Sequence, residues 1–217
     1  RGNLIVSRAV TTTNETNRAI EAVWRIESPR LIAGLTRIVR DISMAEDLAM
    51  DALAVALKQW PETGVPQNAG AWLMTTAKRR AIDYFRRNKM AARKLEELGA
   101  DMQSEQDHGG DDPDARLDDD IGDDLLRLIF TSCHPVLTME ARVALTLRLI
   151  GGLTTEEIAR AYLAPEPTIA QRIVRAKKTI AEAHVPYEVP RGAELAERLG
   201  AVLGVIYLIF NEGYSAT

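Results

Sequence analysis

Residues 153–183, LTTEEIARAYLAPEPTIAQRIVRAKKTIAEA, contain two helical patterns separated by a short break. Thr154 and Glu157 have the spacing of a capping box, so we predict that the first helix begins near Thr155. Pro167 is tolerated only in the first turn of a helix, and it marks the start of the second helix. This segment therefore predicts a helix-turn-helix.

The second helix of this segment has one apolar side and one basic side. Four apolar residues recur at helical spacing, and we expect them to be buried. They are Ile169, Ile173, Ala176 and Ile180. The opposite side suits a DNA major groove, where arginine and glutamine bond base edges and lysine and threonine bond phosphates. Its candidates are Thr168, Gln171, Arg172, Arg175 and Lys178. The alternative is an ordinary helical hairpin with a solvated basic face.

The composition predicts an all-α, soluble protein of the cytoplasm. The chain has 217 residues, enough for one large domain or two small ones. Its single cysteine, Cys133, excludes an internal disulfide and indicates a reducing compartment. The chain opens without a secretory signal, and its longest nearly apolar stretch, 199–210, is too short to span a bilayer. We therefore expect no membrane insertion.

The charge is distributed unevenly along the chain. The formal net charge is -4, but residues 96–124 contain thirteen acids and one arginine and so carry -12. The rest of the chain then carries +8, a sign that suits contact with phosphates. The acidic stretch also has too little apolar content to fold alone, which indicates a flexible linker.

Apolar periodicity and the charge runs divide the chain into five segments. These are an N-terminal extension (1–16), a first helical domain (17–95), an acidic linker (96–123), a second helical domain (124–186) and the start of a C-terminal helical extension (187–217). Within the first domain we predict one long or broken helix around Pro29, a helix over 45–60 that ends at Pro61, and a helix over 71–94. The extension contains an apolar helix over 194–214, which needs a partner because more than one of its faces is apolar.

The last helix of the first domain is unusually basic and carries three aromatic residues. Its cations are Lys78, Arg79, Arg80, Arg86, Arg87, Lys89, Arg93 and Lys94. Cations follow a phosphate backbone, and exposed aromatic rings stack on unpaired bases. We expect Trp72 and Phe85 to lie mostly in the core, and the pattern leaves Tyr84 open. The alternative is that the aromatic rings are core and the cations are merely solvated.

The order of these features resembles an extracytoplasmic-function (ECF) sigma factor of bacterial RNA polymerase. The resemblance covers about residues 20–183 and rests on short motifs in both domains. They are Ala45-Glu46-Asp47-Leu48 with Asp51-Ala52, Asn68 with Ala71-Trp72-Leu73, Arg80-Ala81-Ile82-Asp83 with Arg86-Arg87, Leu153 to Ala159, and Pro165-Glu166 with Thr168. The sequence departs from the family pattern at Arg79, often asparagine, and at Leu163, often glycine. Because of Arg79, the resemblance does not establish which minus-ten bases are preferred.

The resemblance implies a transcription initiation factor without catalytic activity, whose partners are core RNA polymerase and promoter DNA. It implies polymerase binding through Glu46, Asp47, Asp51 and Lys58. It implies minus-ten recognition through Asn68, Lys78, Arg79, Arg80, Tyr84, Arg86 and Arg87. It assigns minus-thirty-five recognition to the second-domain candidates already named, Thr168, Gln171, Arg172, Arg175 and Lys178.

Residues 124–150 and 203–215 resemble an ECF subgroup whose chains continue into a C-terminal tetratricopeptide-like region. An intramolecular C-terminal regulatory domain or an anti-sigma factor is then a further partner. Two other function classes stay open: a stand-alone helix-turn-helix regulator and a helical protein-interaction scaffold. We expect no metal and no cofactor, because Cys133 and His134 are adjacent and lack a second ligand pair at zinc spacing.

Overall fold

The computed structural model describes residues 2–98 and 121–215, with side chains described for 16–89 and 123–210. Within these ranges the chain forms eight α-helices and no strand, so the all-α prediction is confirmed. They are α1 (Gly2–Val39), α2 (Ile42–Thr63), α3 (Ala69–Leu98), α4 (Ile121–Ser132), α5 (Met139–Leu149), α6 (Thr155–Ala161), α7 (Glu166–Glu182) and α8 (Gly192–Ser215). Most of the predicted linker, 99–120, lies outside the described residues.

Helices α1, α2 and α3 pack on one another and form the first domain. Asp41 caps α2 by accepting the Met44 N–H at 2.7 Å. Helix α2 continues through Pro61 to Thr63, so the prediction that it ends at Pro61 is wrong. Pro61 lies on the exposed side of the helix, where water can satisfy the carbonyl that its missing N–H leaves unpaired. Helix α3 likewise extends to Leu98, beyond the predicted end of the domain.

Helix α1 runs through Pro29 without interruption, so the long form of the predicted helix is the correct one. Proline cannot donate to the carbonyl of Arg25, four residues earlier. Gly152 of the second domain lies against that carbonyl, since a Cβ at Gly152 would be 3.3 Å from the Arg25 oxygen. Gly152 also has a φ of +64°, which favours glycine. Its missing side chain therefore allows the two domains to approach closely here.

Helices α4 to α7 form the second domain, and the predicted helix-turn-helix is confirmed within it. Thr154 Oγ1 accepts the Glu157 N–H at 3.1 Å, and Glu157 Oε2 accepts the Thr154 N–H at 2.8 Å. These two bonds form the capping box that starts α6. Helix α7 begins at Glu166, with Pro167 in its first turn.

Helix α8 packs on α4 and α5 through one of its two apolar faces. Val202 and Val205 are buried there, and the nearly buried Arg198 donates to the Phe130 carbonyl at 2.9 Å. The other face stays exposed, and its residues are Leu195, Leu199, Leu203, Ile206, Tyr207 and Phe210. The prediction that this helix is apolar on more than one face is therefore confirmed.

The two domains pack against each other. Helix α4 lies along α1, and one continuous apolar cluster includes residues of both domains, such as Leu35, Leu128 and Leu145. A cleft of about 500 Å³ remains between α1, the start of α2 and the end of α7. The domain interface is thus tight along α1 and α4 and incompletely filled beside α7.

Candidate nucleic-acid interface

The buried and open sides of α7 lie where the sequence predicts them. Ile169, Ile173, Ala176 and Ile180 are all buried against the second-domain core, with exposed fractions of 0–6%. Thr168, Gln171, Arg175 and Lys178 are exposed on the other side. Lys178 is 3.5 Å from the carboxylate of Glu182 one turn later, and both side chains are mostly exposed. Because exposed pairs of this kind are weak, Lys178 can exchange its partner for a phosphate at little cost.

Arg172 differs from the other recognition candidates because it is partly buried. It lines a small cavity together with Glu140, Tyr162 and Leu208. Hydrogen bonds from its own backbone and from Thr138 lower the pKa of Glu140, and the Arg172 guanidinium contributes further. Glu140 is therefore charged at neutral pH and partly balances Arg172. Of the two arginines, Arg175 is the better placed to meet DNA.

The basic side of α3 has both exposed and paired cations. Arg79, Arg86 and Arg87 are exposed, and Arg87 Nε donates to the Asp83 carbonyl at 3.1 Å. Lys78 is partly buried. Arg80 Nη1 donates to Asp51 Oδ2 of α2 at 2.9 Å, and the two side chains are 43% and 55% exposed. Arg80, a candidate for DNA contact, is thus bonded to Asp51, a candidate for polymerase contact.

The aromatic residues of α3 divide between core and surface differently from the prediction. Trp72 is partly buried and meets the buried Trp60 edge to face, with ring centroids 5.2 Å apart. Phe85 is 44% exposed, so the prediction that it lies mostly in the core is wrong. Phe85 and Tyr84, which is 39% exposed, contact each other edge to face at 5.8 Å. Together they form an exposed aromatic pair beside Arg86, which strengthens the case for base stacking.

Asn68 has a structural role that the sequence reasoning did not assign. Its side-chain oxygen accepts the Ala71 N–H at 3.0 Å, and its carbonyl accepts the Trp72 N–H at 3.1 Å. Asn68 therefore caps the start of α3, a helix terminus that would otherwise leave donors unpaired. The side chain is exposed, so Asn68 is at once the cap of α3 and a candidate for contact with the minus-ten element.

The outer side of α2 presents Asp47, Asp51 and Lys58, as predicted, but Glu46 points inward. Glu46 is 8% exposed and accepts hydrogen bonds from Arg148 and Lys177 of the second domain. The resemblance assigns Glu46 to polymerase binding, but the structure places Glu46 away from the outer side of α2. Met50 and Leu57, both 46% exposed, share the outer side and were not among the predicted contacts. The exposure of these two large apolar side chains on the outer side is the signal that marks them.

The described residues contain no group of three or more His, Cys, Asp and Glu residues arranged to hold a metal ion. Cys133 is 1% exposed, its Sγ lies 3.4 Å from Thr146 Oγ1, and burial raises the pKa of its thiol. Cys133 therefore has the surroundings of a buried structural cysteine and not those of a reactive one. Within the same described ranges, the helices are too short or too polar to cross a membrane.

Comparison with known proteins agrees with this geometry. A sigma-70 region 2 family model matches residues 24–90, and a sigma-70 region 4 model matches residues 127–180, together more than half of the chain. The chain is 30% identical over 160 residues to the ECF RNA polymerase sigma factor SigK of Mycolicibacterium vanbaalenii, covering 71% of this chain and 76% of that protein. It is 26% identical over 166 residues to the probable ECF RNA polymerase sigma factor SigI of Mycobacterium tuberculosis, covering 76% and 56%.

A further relative is considerably longer than this chain. An uncharacterized protein of Rhizobium meliloti is 41% identical over 194 residues, which cover 87% of this chain and 44% of that protein. The chain therefore spans less than half the length of the rhizobial relative. The two matched regions occupy the two domains seen in the structure, in the order in which the basic α3 and the helix-turn-helix occur. The chain belongs to the ECF sigma factor family of bacterial RNA polymerase.

Proposed function

We propose that this chain binds core RNA polymerase and directs it to promoters by recognising minus-ten and minus-thirty-five elements, without catalysing a reaction itself. The observation that carries the proposal is the pairing of two different nucleic-acid surfaces. Helix α7 offers a rigid polar face, with Gln171 and Arg175 exposed, which suits a duplex major groove. Helix α3 offers exposed cations beside the Tyr84–Phe85 aromatic pair, which suits a melted strand.

The polymerase contact is assigned to the outer side of α2. Asp47 and Lys58 are exposed there with Met50 and Leu57 between them, and Asp51 lies on the same side. A mixed apolar and charged helix face of this kind matches the composition of transient protein interfaces. We leave Glu46 out of this face, because its carboxylate is bonded to Arg148 and Lys177.

The test is transcription with purified core polymerase and the full chain on a promoter library. We expect start sites that appear only when the chain is added and that depend on two upstream elements. Arg86→Ala with Arg87→Ala should reduce initiation on duplex templates, and a template melted beforehand around the minus-ten element should reduce the defect. Arg30→Ala, an exposed cation of α1 outside the proposed site, is the matched control.

The rival function, a stand-alone helix-turn-helix regulator, makes an opposite prediction. Such a protein binds its operator as tightly without polymerase as with it, and it does not associate with the core enzyme. Failure to bind core polymerase, combined with salt-dependent binding to a specific duplex, would replace our proposal with this one. If the chain binds neither core polymerase nor a specific duplex, the remaining alternative is the helical protein-interaction scaffold.

We also propose that α8 begins a tetratricopeptide-like extension that acts as a regulatory partner of the second domain. The support is the row of exposed apolar side chains, such as Leu203 at 55% and Phe210 at 69%, opposite the buried Val205. The longer rhizobial relative is consistent with it. An anti-sigma factor on the same row is the competing occupant. Removing residues 192–217 should change promoter activity or solubility.

A further inference from the structure

The cleft between the end of α1, the start of α2 and the second half of α7 has the size of a ligand site. Its volume of about 500 Å³ falls within the range of about 300–1,000 Å³ that small-molecule sites occupy. Arg40, Ser43 and Val174 line the cleft and are exposed, so a solute can reach it from outside. Of the recognition candidates on α7, only Lys178 lines it. The cleft is therefore largely separate from the DNA-reading side of α7.

Positive charge dominates the polar lining of this cleft. Three cations, Arg40, Lys177 and Lys178, line it together with one acid, Asp41. Asp41 already accepts the backbone N–H that caps α2. Lys177 is bonded to Glu46, whereas Lys178 has only a weak, mostly exposed partner. A cleft lined mainly by one sign of charge attracts ions of the opposite sign, so we expect this cleft to attract an anion.

Two lining residues have a strained backbone. Arg40 lies just beyond α1 with a φ of +57°, and His184 lies just beyond α7 with a φ of +48°. This left-handed conformation at the end of a helix favours glycine, because a Cβ crowds the following carbonyl oxygen. Attraction to the helix dipole accounts for a cation near a helix end, but a cation in the preceding turn would gain it without strain. Since strained residues cluster where ligands are held, these two positions point to a binding role.

The donors around the cleft suit a phosphoryl group. Within the described ranges, the side chains of Arg40 and His184 are engaged in no hydrogen bond or ion pair. Together with Lys178 they offer a guanidinium, an imidazole and an ammonium group. A carboxylate has two acceptor oxygens, whereas a phosphate monoester has three terminal oxygens and more negative charge. The larger acceptor fits this set of donors better.

An apolar wall lies beside these donors. Val174 is 60% exposed, Ala181 is exposed and Val185 is half-buried, and all three line the cleft. An inorganic phosphate ion would leave these side chains in water, whereas an organic group attached to the phosphate would cover them. Apolar walls with a few charged groups are the usual composition of small-molecule sites. The ligand should therefore have an apolar part as well as a charged one.

We propose that this cleft binds a small organic phosphate monoester. The phosphoryl group lies among Arg40, Lys178 and His184, and the organic group packs on Val174 and Val185. This binding goes beyond promoter recognition and does not depend on it, so its test needs no polymerase.

The test is titration of the full chain with phenyl phosphate, followed by amide nitrogen resonances and by calorimetry. We expect saturable binding at one site, with the largest resonance shifts at residues such as Ser43 and Val185. Inorganic phosphate and phenol should each bind at least about 10-fold more weakly, because each lacks one part of the ligand. Binding that does not saturate, or equal affinity for phenyl phosphate and inorganic phosphate, would overturn the proposal.

Three variants make this result specific. Arg40→Gln and Lys178→Gln should each weaken phenyl phosphate binding about 10-fold or more, because each loses a charge-assisted bond. Arg30→Gln removes an exposed cation of α1 that does not line the cleft, and it should leave the affinity unchanged. Equal affinities in Arg40→Gln and Arg30→Gln would overturn the proposal.

A further variant separates loss of binding from loss of folding. Arg40→Gly removes the guanidinium and also relieves the strained φ, because glycine adopts this conformation readily. We expect a higher melting temperature in the absence of ligand, together with phenyl phosphate binding as weak as that of Arg40→Gln. Unchanged binding in this well-folded variant would exclude Arg40 from the site.

A duplex with a minus-thirty-five element decides between a small molecule and the DNA backbone as the ligand of these cations. Arg40→Gln should change duplex affinity by less than about 2-fold near physiological salt, where distant exposed charges are screened. If it weakens the duplex as strongly as phenyl phosphate, the cleft holds a DNA phosphate and the proposal is wrong. If the chain binds no duplex and no polymerase, the proposed function fails, while the phenyl phosphate titrations still decide this inference.

Discussion

Neutralising Asp124 should destabilise the packing of the second domain on the first. Asp124 lies in the first turn of α4, and its side chain is 3% exposed. One carboxylate oxygen is 2.6 Å from Arg127 Nη1 of the same helix. The other is 3.0 Å from Arg37 Nε of α1, at an angle that makes the contact an ion pair and not a linear hydrogen bond. Asp124 therefore joins the two domains and stabilises the start of α4.

The expected cost of Asp124→Asn follows from these contacts. Asparagine keeps the shape and one acceptor oxygen, so the loss is the difference between charged and neutral contacts, about 1 kcal/mol for each arginine. The negative charge near the helix N-terminus contributes about 0.5 kcal/mol more. The sum is about 2–3 kcal/mol, and for a chain of this size it corresponds to a fall in melting temperature of about 5–10 °C.

The assay is thermal and urea unfolding followed by circular dichroism, with Asp123→Asn as the matched control. Asp123 occupies the neighbouring position in the same helix turn, but its side chain is 60% exposed and lies 3.9 Å from Arg127. We expect the control to lose less than about 1 kcal/mol, because exposed pairs contribute little. Equal melting temperatures for both variants would show that the buried ion pairs of Asp124 do not stabilise the protein.

Three other substitutions test separate parts of the structure. Arg175→Ala should weaken binding to minus-thirty-five duplexes by about 1–3 kcal/mol and reduce the salt dependence, measured by fluorescence anisotropy against the exposed control Arg191→Ala. Leu163→Gly should raise the free energy of unfolding by about 0.5–1 kcal/mol in urea titrations. Leu163 is 95% exposed at a φ of +48°, and relief of that backbone strain exceeds the conformational entropy that glycine loses on folding. A lower urea midpoint than that of the unchanged chain would contradict this prediction. Burial and, secondarily, the nearby Arg198 lower the pKa of His134 below its ordinary 6.5. As the pH falls, His134 therefore takes up a proton in the unfolded chain before it does so in the folded chain. The free energy of unfolding should decrease as the pH drops below about 6.5. His134→Gln should flatten the melting temperature between pH 7 and 5.5, and an unchanged slope would exclude His134 as its source.

The helix-turn-helix could be predicted from the sequence because every interaction that defines it is local. Thr154 and Glu157 are three residues apart, and the buried residues of α7 recur within one helix. Capping and amphipathic periodicity are properties of short windows, so no knowledge of the rest of the chain is needed. The cap of α5 is local in the same way, because the Thr138 side chain accepts the Ala141 N–H three residues later.

The inward orientation of Glu46 could not be predicted in this way. Its partners Arg148 and Lys177 are 102 and 131 residues away along the chain. In the periodic pattern of α2 alone, a glutamate beside Asp47 reads as solvent-exposed, and only the second domain makes this position an interior one. The prediction for Phe85 was wrong in the opposite direction. The periodicity of α3 marks Phe85 as inward-facing, yet its side chain is 44% exposed.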